Sequence, residues 1–137
     1  MNETIVKVAF VDTNIWLYAF LNGQDDPKHA TAKTLLQQQC KPVISTQVIN
    51  EVCLNLLKKV KFTEKQIGQL IESFYEKYRV IQFGRIVLLE APGLRQRYSL
   101  SFWDSLIISS ALQSNASILY SEDMQDRLVV DNRLRKS

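Results

Sequence analysis

The fold is decided by a stretch near the beginning of the chain, IVKVAFVDTN, which spans residues 5–14. Its first part, Ile5–Val11, is apolar and rich in β-branched residues except at Lys7. This composition is typical of a strand that is buried on both faces of a parallel sheet. Asp12-Thr13-Asn14 ends the strand, and Ile15–Leu21 continues as an apolar helical stretch. The sequence therefore predicts a buried strand, an acidic turn and a helix in direct succession.

Strands and helices alternate along the rest of the chain. Further strands are predicted at Pro42–Ser45, Arg79–Phe83 and Ser117–Tyr120, and a fifth candidate is Leu128–Val130. Helices are predicted over Lys28–Gln39, from Thr46 to Lys61, from Thr63 to Tyr78, around Val87-Leu88-Leu89 with an interruption at Pro92-Gly93, and over Trp103–Ser114. This order predicts an α/β fold, with a parallel sheet, right-handed crossovers and helices on both faces.

Length and composition favour a single globular domain over residues 1–137. Hydrophobic residues make up 46% of the chain, which is enough for a core, and the charged fraction of 23% argues against disorder. No apolar run approaches the length of a membrane span. The N-terminus lacks the basic start and the cleavage site of a signal peptide. We therefore expect a cytoplasmic protein with no membrane segment.

The cysteine and histidine content excludes several kinds of site. Cys40 and Cys53 do not have the spacing of metal ligands, so we expect two buried, reduced thiols. His29 is the only histidine. A nuclease built on a pair of histidines is therefore excluded, as is a histidine-rich zinc site within one chain.

Four acidic residues lie at the ends of predicted elements. Asp12 directly follows the first strand and Asp123 lies just past the fourth, so both should project at the edge of the sheet where α/β folds bind ligands. Glu51 is on the helix after the second strand, and Asp104 is in the first turn of the helix before the fourth. Both have apolar neighbours, and an acid in such surroundings is costly unless a positive charge compensates it.

A divalent cation would provide that compensation. Converging carboxylates repel one another and raise their own pKa values. Mg²⁺ and Mn²⁺ prefer hard oxygen ligands, and such ions bind a phosphodiester, activate a water for in-line attack and stabilise the leaving oxygen. The pattern indicates a Mg²⁺ or Mn²⁺ site for phosphodiester hydrolysis, which would leave a 5′-phosphate. Asp12, Asp104 and Glu51 are the best candidate ligands, and Asp123 would bind a second ion or orient water.

Each of these carboxylates also has a structural interpretation. Asp12 can cap the following helix, and Asp104 can simply complement the dipole of its own helix. Glu51 can be a solvated helix residue, and Glu122 is a close rival of Asp123 because a loop can present either. The presence of all four acids at element ends on one side of the sheet is what favours a functional site.

Four segments in this order resemble those of the PIN-domain ribonucleases and, in length and layout, the toxins of the VapC type. The segments are Val11-Asp12-Thr13-Asn14, residues 44–52 (ISTQVINEV), residues 100–107 (LSFWDSLI) and residues 119–124 (LYSEDM). Any one of these motifs is weak, but the ordered set covers nearly the whole chain and is specific.

The resemblance implies roles for particular residues. Those that correspond to the acidic metal-binding set of the family are Asp12, Glu51, Asp104 and Asp123. Asn14 and Ser121 match positions that usually hold polar residues supporting the site.

The resemblance also implies a fold, an activity and partners. The fold is a three-layer α/β/α sandwich with a mostly parallel sheet in the order 3-2-1-4-5. The activity is endonucleolytic cleavage of RNA that depends on Mg²⁺ or Mn²⁺. The implied partners are the RNA substrate, a second copy in a homodimer, and an antitoxin protein that inhibits the enzyme. One departure is the C-terminus, which stops at Arg135-Lys136-Ser137 where similar chains often continue.

The charge distribution agrees with an RNA substrate. The chain has 17 basic and 14 acidic residues; setting aside the four site acids leaves 10, so the remainder has a net charge of +7. A basic surface around an acidic pocket is what phosphate binding requires. Candidate backbone contacts, each of which also fits an ordinary solvated charge, are Arg85, Arg95, Arg97, Arg127, Arg133, Arg135 and Lys136.

Two other functions compete with this one. The first is a PIN-like nucleic-acid-binding or scaffold domain without catalysis, and the presence of all four acids argues against it. The second is a phosphatase-like hydrolase of small phosphoesters. That chemistry uses an aspartate nucleophile with a downstream lysine, and Asp12 has no clear partner of that sort.

Two aromatic residues suggest a further contact surface. Trp16 and Phe20 fall at helical spacing on the first helix. Such a face can form a groove or dimer surface for an amphipathic partner helix.

Overall fold

Strands and helices alternate through the part of the chain that the structure, a computed structural model, describes: residues 7–21, 27–122, 129–130 and 134–136. The strands are Lys7–Val11 (β1), Cys40–Ser45 (β2), Arg79–Ile81 (β3), Ile118–Tyr120 (β4), Val129–Val130 (β5) and Leu134–Lys136 (β6). The α-helices are Thr13–Phe20 (α1), Pro27–Thr34 (α2, continued by a π-helical turn at Leu35–Gln39), Thr46–Lys59 (α3), Glu64–Lys77 (α4), Arg85–Tyr98 (α5) and Phe102–Gln113 (α6). The predicted alternation is confirmed.

The sheet is mostly parallel, and β1 lies inside it. The strand order is β3-β2-β1-β4-β6-β5, with only the β5–β6 pair antiparallel. The predicted three-layer α/β/α sandwich is confirmed, as is the order of the first four strands. In the β1–β4 register Val11 stands opposite Tyr120. The residues that follow them, Asp12 and Ser121, are therefore neighbours at one edge of the sheet.

Beyond β4 the sheet has two strands, one more than predicted. The sequence suggested a fifth strand at 128–130 beside β4, but Val129–Val130 is the outermost strand and Leu134–Lys136 lies between it and β4. The sequence Leu-Arg-Lys of β6 has two cations and no apolar alternation, so it carries no strand signal of its own. Residues 134–136 are thus part of the sheet.

The interpretation of Trp16 as a partner-binding surface was wrong, because Trp16 is completely buried. Its indole Nε1–H donates to the carbonyl oxygen of Val11 at 3.0 Å. Its ring packs edge-on against Phe74 of α4, with the ring centroids 5.3 Å apart, and against Tyr78, the C-cap of α4, with the centroids 4.9 Å apart. Phe20 packs against the same cluster. This face of α1 therefore joins α4 to the sheet.

Helix α5 is continuous across Pro92-Gly93, and the expected interruption there was wrong. Proline removes one backbone donor, which leaves the carbonyl of Leu88 without its usual helical partner. Leu88, Pro92 and Gly93 are all exposed. Water can therefore satisfy that carbonyl, and the helix persists until Ser99, which ends it in the left-handed conformation. No helix in the described residues is both long and apolar enough to cross a membrane.

Both cysteines are buried and free, as predicted. Burial raises the pKa of the Cys40 thiol to about 11, and it also raises the pKa of Cys53. Both side chains therefore remain neutral at physiological pH and serve as packing residues.

Candidate active site

The carboxylate of Asp12 is held at the point where β1 passes into α1. The Asp12 backbone N–H donates to the carbonyl of Tyr120 at 3.0 Å, which ties the end of β1 to β4. Its Oδ1 accepts from the Thr13 backbone N–H at 2.7 Å, and its Oδ2 accepts from the Ser121 hydroxyl at 3.0 Å. Only 6% of Asp12 is exposed. Asp12 therefore caps α1 through its contact with Thr13. Ser121, which follows β4, orients the other oxygen of the same carboxylate.

Glu51 is joined to Asp12 through Thr13. The Thr13 hydroxyl donates to Glu51 Oε2 at 2.8 Å, while its backbone N–H donates to Asp12. The N-cap of helix α3 is Ser45, the last residue of β2, whose hydroxyl accepts from the backbone N–H of Val48. This cap directs α3 away from the sheet edge, and the half-buried Glu51 lies in its second turn. One threonine thus connects two of the predicted carboxylates.

Asp104 lies at the start of α6, where the hydroxyl of Ser101 accepts from its backbone N–H at 3.0 Å. Because α6 leads into β4, its first turn lies at the sheet edge that also carries the end of β1. The side chain is half-buried, and within the described residues its carboxylate has no hydrogen-bond or ion-pair partner. A half-buried carboxylate with open lone pairs is suited to a ligand or a cation.

The oxygen chemistry of these residues fits a hard divalent cation, but the described residues supply only part of a ligand set. Among them, no three histidine, cysteine, aspartate or glutamate side chains are grouped closely enough to hold a metal ion. The fourth predicted acid, Asp123, lies outside the described residues. We call Asp12, Glu51 and Asp104 the carboxylate site: Thr13 connects the first two, and across the described part of the chain no hydrogen bond joins Asp104 to either of them.

The sequence of the chain matches the family model of the PIN domain over residues 9–129. The chain belongs to the PIN domain family. The match begins within β1 and includes Asp12, Glu51, Asp104, the whole of β4 and Ser121. No curated protein sequence matches the chain significantly.

Solved structures with a similar fold include several toxins. The chain is 20% identical to a protein in a toxin–antitoxin complex from Klebsiella pneumoniae, with 92% of this chain and 94% of that chain covered and a TM-score of 0.69. VapC20 of Mycobacterium tuberculosis, a toxin that cleaves the sarcin–ricin loop, is 20% identical over 84% of this chain and 89% of its own, with a TM-score of 0.64. At these identities the likeness shows the fold.

A third similar structure is part of a complex on DNA. It is VapBC2 from Rickettsia felis bound to a fragment of the promoter. The identity is 21%, the coverage is 95% of this chain and 98% of that chain, and the TM-score is 0.62.

The two residues that the resemblance gives as supporting residues both lie near Asp12 in the chain fold. The Ser121 hydroxyl donates to Asp12, and Asn14 is half-buried in the first turn of α1; their supporting role stays a prediction. Thr13 was not singled out, although it contacts both Asp12 and Glu51. Its position beside Asp12 was the available signal, but the contact with Glu51 spans 38 residues and depends on packing.

Glu122, the residue after Ser121, contacts α1 and α2. Its Oε2 accepts from the Tyr18 hydroxyl at 2.6 Å, and its Oε1 lies 3.5 Å from the ammonium nitrogen of Lys28. The hydrogen bond to Glu122, together with partial burial, raises the pKa of Tyr18. These contacts fix Glu122, and with it the chain just after Ser121, against α1 and α2.

Proposed function

We propose that this PIN domain is a cytoplasmic endoribonuclease that depends on Mg²⁺ or Mn²⁺ and acts as the toxin of a toxin–antitoxin pair. The observation that carries the proposal is the buried Asp12 carboxylate, which is oriented by Thr13 and Ser121 and connected to Glu51. An acid held in this way at the edge of a parallel sheet lies where α/β folds bind their ligands. The nuclease activity general to PIN domains supports the same assignment.

The proposed ligands of the ion are Asp12, Glu51, Asp104 and Asp123. When bound, the ion would polarise the phosphodiester and lower the pKa of a water molecule. The described residues act by orientation: Ser121 and Thr13 each fix one oxygen of Asp12, and Thr13 also fixes Glu51. Fixed carboxylates keep the site in its working geometry before the substrate arrives, which reduces the reorganisation that catalysis requires.

Apart from the four proposed site acids, the chain has a net positive charge, and this supports RNA as the substrate. Arg85 and Arg95 of α5 are exposed, and α5 packs on α6, the helix that begins beside Asp104. Exposed arginines on a helix that packs against the one carrying Asp104 are candidates for binding phosphates of the RNA, while its sequence is read by other contacts.

We also propose two protein partners. The Klebsiella pneumoniae structure is a toxin–antitoxin complex, which supports an antitoxin protein for this chain as well. A homodimer is supported by the outer face of α5, where the large apolar side chains of Ile86 and Leu89 are 61% and 66% exposed. Apolar surface of this kind is commonly covered by a protein partner.

The direct experiment is cleavage of a panel of labelled RNAs with Mg²⁺, with Mn²⁺ or with EDTA. We expect cleavage with either ion and none in EDTA. The products should carry a 5′-phosphate and a 3′-hydroxyl, because water attacks the phosphorus and the 3′-oxygen leaves. A chain that binds RNA but does not cut it with either ion would instead be the non-catalytic PIN-like domain. Cleavage that persists in EDTA would contradict the proposed chemistry.

Replacing Thr13 with valine tests the connection between the two carboxylates. Thr13→Val keeps the shape and the backbone N–H bond to Asp12 but removes the hydroxyl that donates to Glu51. We expect the Mn²⁺ concentration needed for half-maximal cleavage to rise roughly 10- to 100-fold, as is usual when a group that orients a metal ligand is lost.

Thr34→Val is the matched control, because Thr34 is an exposed threonine of α2. It should leave the Mn²⁺ dependence unchanged. Equal Mn²⁺ dependence of Thr13→Val and the parent would show that the Thr13 hydroxyl does not position Glu51 for the ion.

A further inference from the structure

A small cleft between α1 and α2 opens beside the carboxylate site. Its volume is about 210 Å³. The apolar lining includes Ile15 of α1 together with Ala32 of α2 and Leu35 of the π-helical turn. Tyr18, Lys28 and Glu122 provide its polar groups. The cleft thus combines an apolar lining with a hydroxyl group, a positive charge and a negative charge.

Two covalent connections place this cleft next to Asp12. Ile15 follows Asp12 by three residues, which is roughly 4.5 Å along a helix axis. Glu122 directly follows Ser121, whose hydroxyl donates to Asp12 Oδ2. If a linear phosphate polymer were bound with one phosphate at Asp12, the neighbouring monomer would therefore lie at the cleft.

The polar groups of the cleft are held in place by one another. Tyr18 donates to Glu122 at 2.6 Å, and the ammonium of Lys28 lies 5.0 Å from the centre of the Tyr18 ring. His29 Nδ1–H donates to the backbone carbonyl of Tyr18 at 2.8 Å, which fixes α2 against α1. The cleft is therefore formed before any ligand binds.

We infer that this cleft receives one nucleobase of single-stranded RNA, next to the phosphate at Asp12; the inference rests on the proposed ribonuclease function. A nucleobase has apolar faces and a polar edge, which match the lining and the polar groups of the cleft. The Glu122 carboxylate can accept from base N–H groups, and Lys28 supplies a cation for the adjoining phosphate.

A tryptophan at Thr31 tests the inference. Thr31 is exposed and lines the cleft, so Thr31→Trp can fill the space without removing a core side chain. Thr34→Trp is the matched control, since Thr34 is exposed on the same helix and does not line the cleft. The probes are fluorescein-labelled RNA decamers of the four homopolymers and a base-free ribose-phosphate decamer. Binding is measured by anisotropy in Ca²⁺, which also prefers oxygen ligands, so that the carboxylates are not left without a cation. The length of each RNA is checked after the titration, and thermal melting confirms that both variants fold.

We expect the parent chain and Thr34→Trp to bind at least one homopolymer roughly 10- to 100-fold more tightly than the base-free decamer. Thr31→Trp should lose this preference and bind every decamer at the base-free level. The inference is overturned if the parent binds no decamer or shows no preference for bases. It is also overturned if Thr31→Trp retains the preference, the result that a peptide-binding cleft would give. Failure of the ribonuclease proposal is read separately, as absent cleavage with Mg²⁺ and Mn²⁺.

Discussion

Asp12→Asn should lower the rate of metal-dependent RNA cleavage at least about a thousandfold while leaving the fold intact. Asparagine has nearly the same shape, and its amide oxygen can still accept from the Thr13 N–H in place of Oδ1. It lacks the charge that binds a divalent cation, and the loss of several kcal/mol of transition-state stabilisation corresponds to a thousandfold or more in rate. The measurement is single-turnover cleavage at saturating Mn²⁺, together with a thermal melt of each protein.

Glu72→Gln is the control for the removal of one negative charge. Glu72 is exposed on α4, the helix that packs beside β3 at the opposite end of the sheet from β6. This variant should cleave at the parental rate. If Asp12→Asn also cleaved at the parental rate, Asp12 would be a helix cap and would have no part in catalysis.

Trp16→Ala should lower the free energy of unfolding by about 3–5 kcal/mol, the usual cost of truncating a fully buried tryptophan. The indole is completely buried and fills the space between α1 and α4, in contact with Phe74 and Tyr78. Its loss creates a cavity and leaves the carbonyl of Val11 without the indole donor. Urea denaturation followed by circular dichroism measures the change.

Trp16→Phe separates the two contributions. Phenylalanine keeps an aromatic ring in the cluster but cannot donate to Val11, so this variant should lose about 1–2 kcal/mol for the hydrogen bond and the smaller ring. A loss below about 1 kcal/mol for Trp16→Ala would mean that α1 is not fixed through this cluster. Because α1 begins at Asp12, cleavage by Trp16→Ala should also be more sensitive to temperature than cleavage by the parent.

The central part of the fold was predictable because it depends on local composition. The apolar residues of β1 could only be buried on both faces, and Asp12 directly after them had to lie at the edge of the sheet. The helices that carry Glu51 and Asp104 were predicted to begin at Thr46 and Trp103, within one residue of where α3 and α6 begin, and Ser45 and Ser101 cap them. Three of the four predicted acids could thus be placed on their elements from short segments.

The parts that could not be predicted depend on contacts between distant residues or on exposure. The hydrogen bond between Ser121 and Asp12 spans 109 residues, and the one between Tyr18 and Glu122 spans 104. No local pattern encodes either distance. Pro92 was expected to interrupt its helix because the exposure of that face is a tertiary property. Strand β6 was missed because pairing with β4 and β5 defines it, and its composition does not.

Binding of Mn²⁺ to the carboxylates at the edge of the sheet can be followed by the loss of the electron paramagnetic resonance signal of the free ion. The parent chain should bind Mn²⁺ saturably with at least one ion per chain, and Mg²⁺ should compete for it. Asp12→Asn and Asp104→Asn should each weaken that binding at least about tenfold, while Glu72→Gln should not change it. Mn²⁺ binding that is absent in the parent, or unaffected by both aspartate substitutions, would contradict an ion site at these carboxylates.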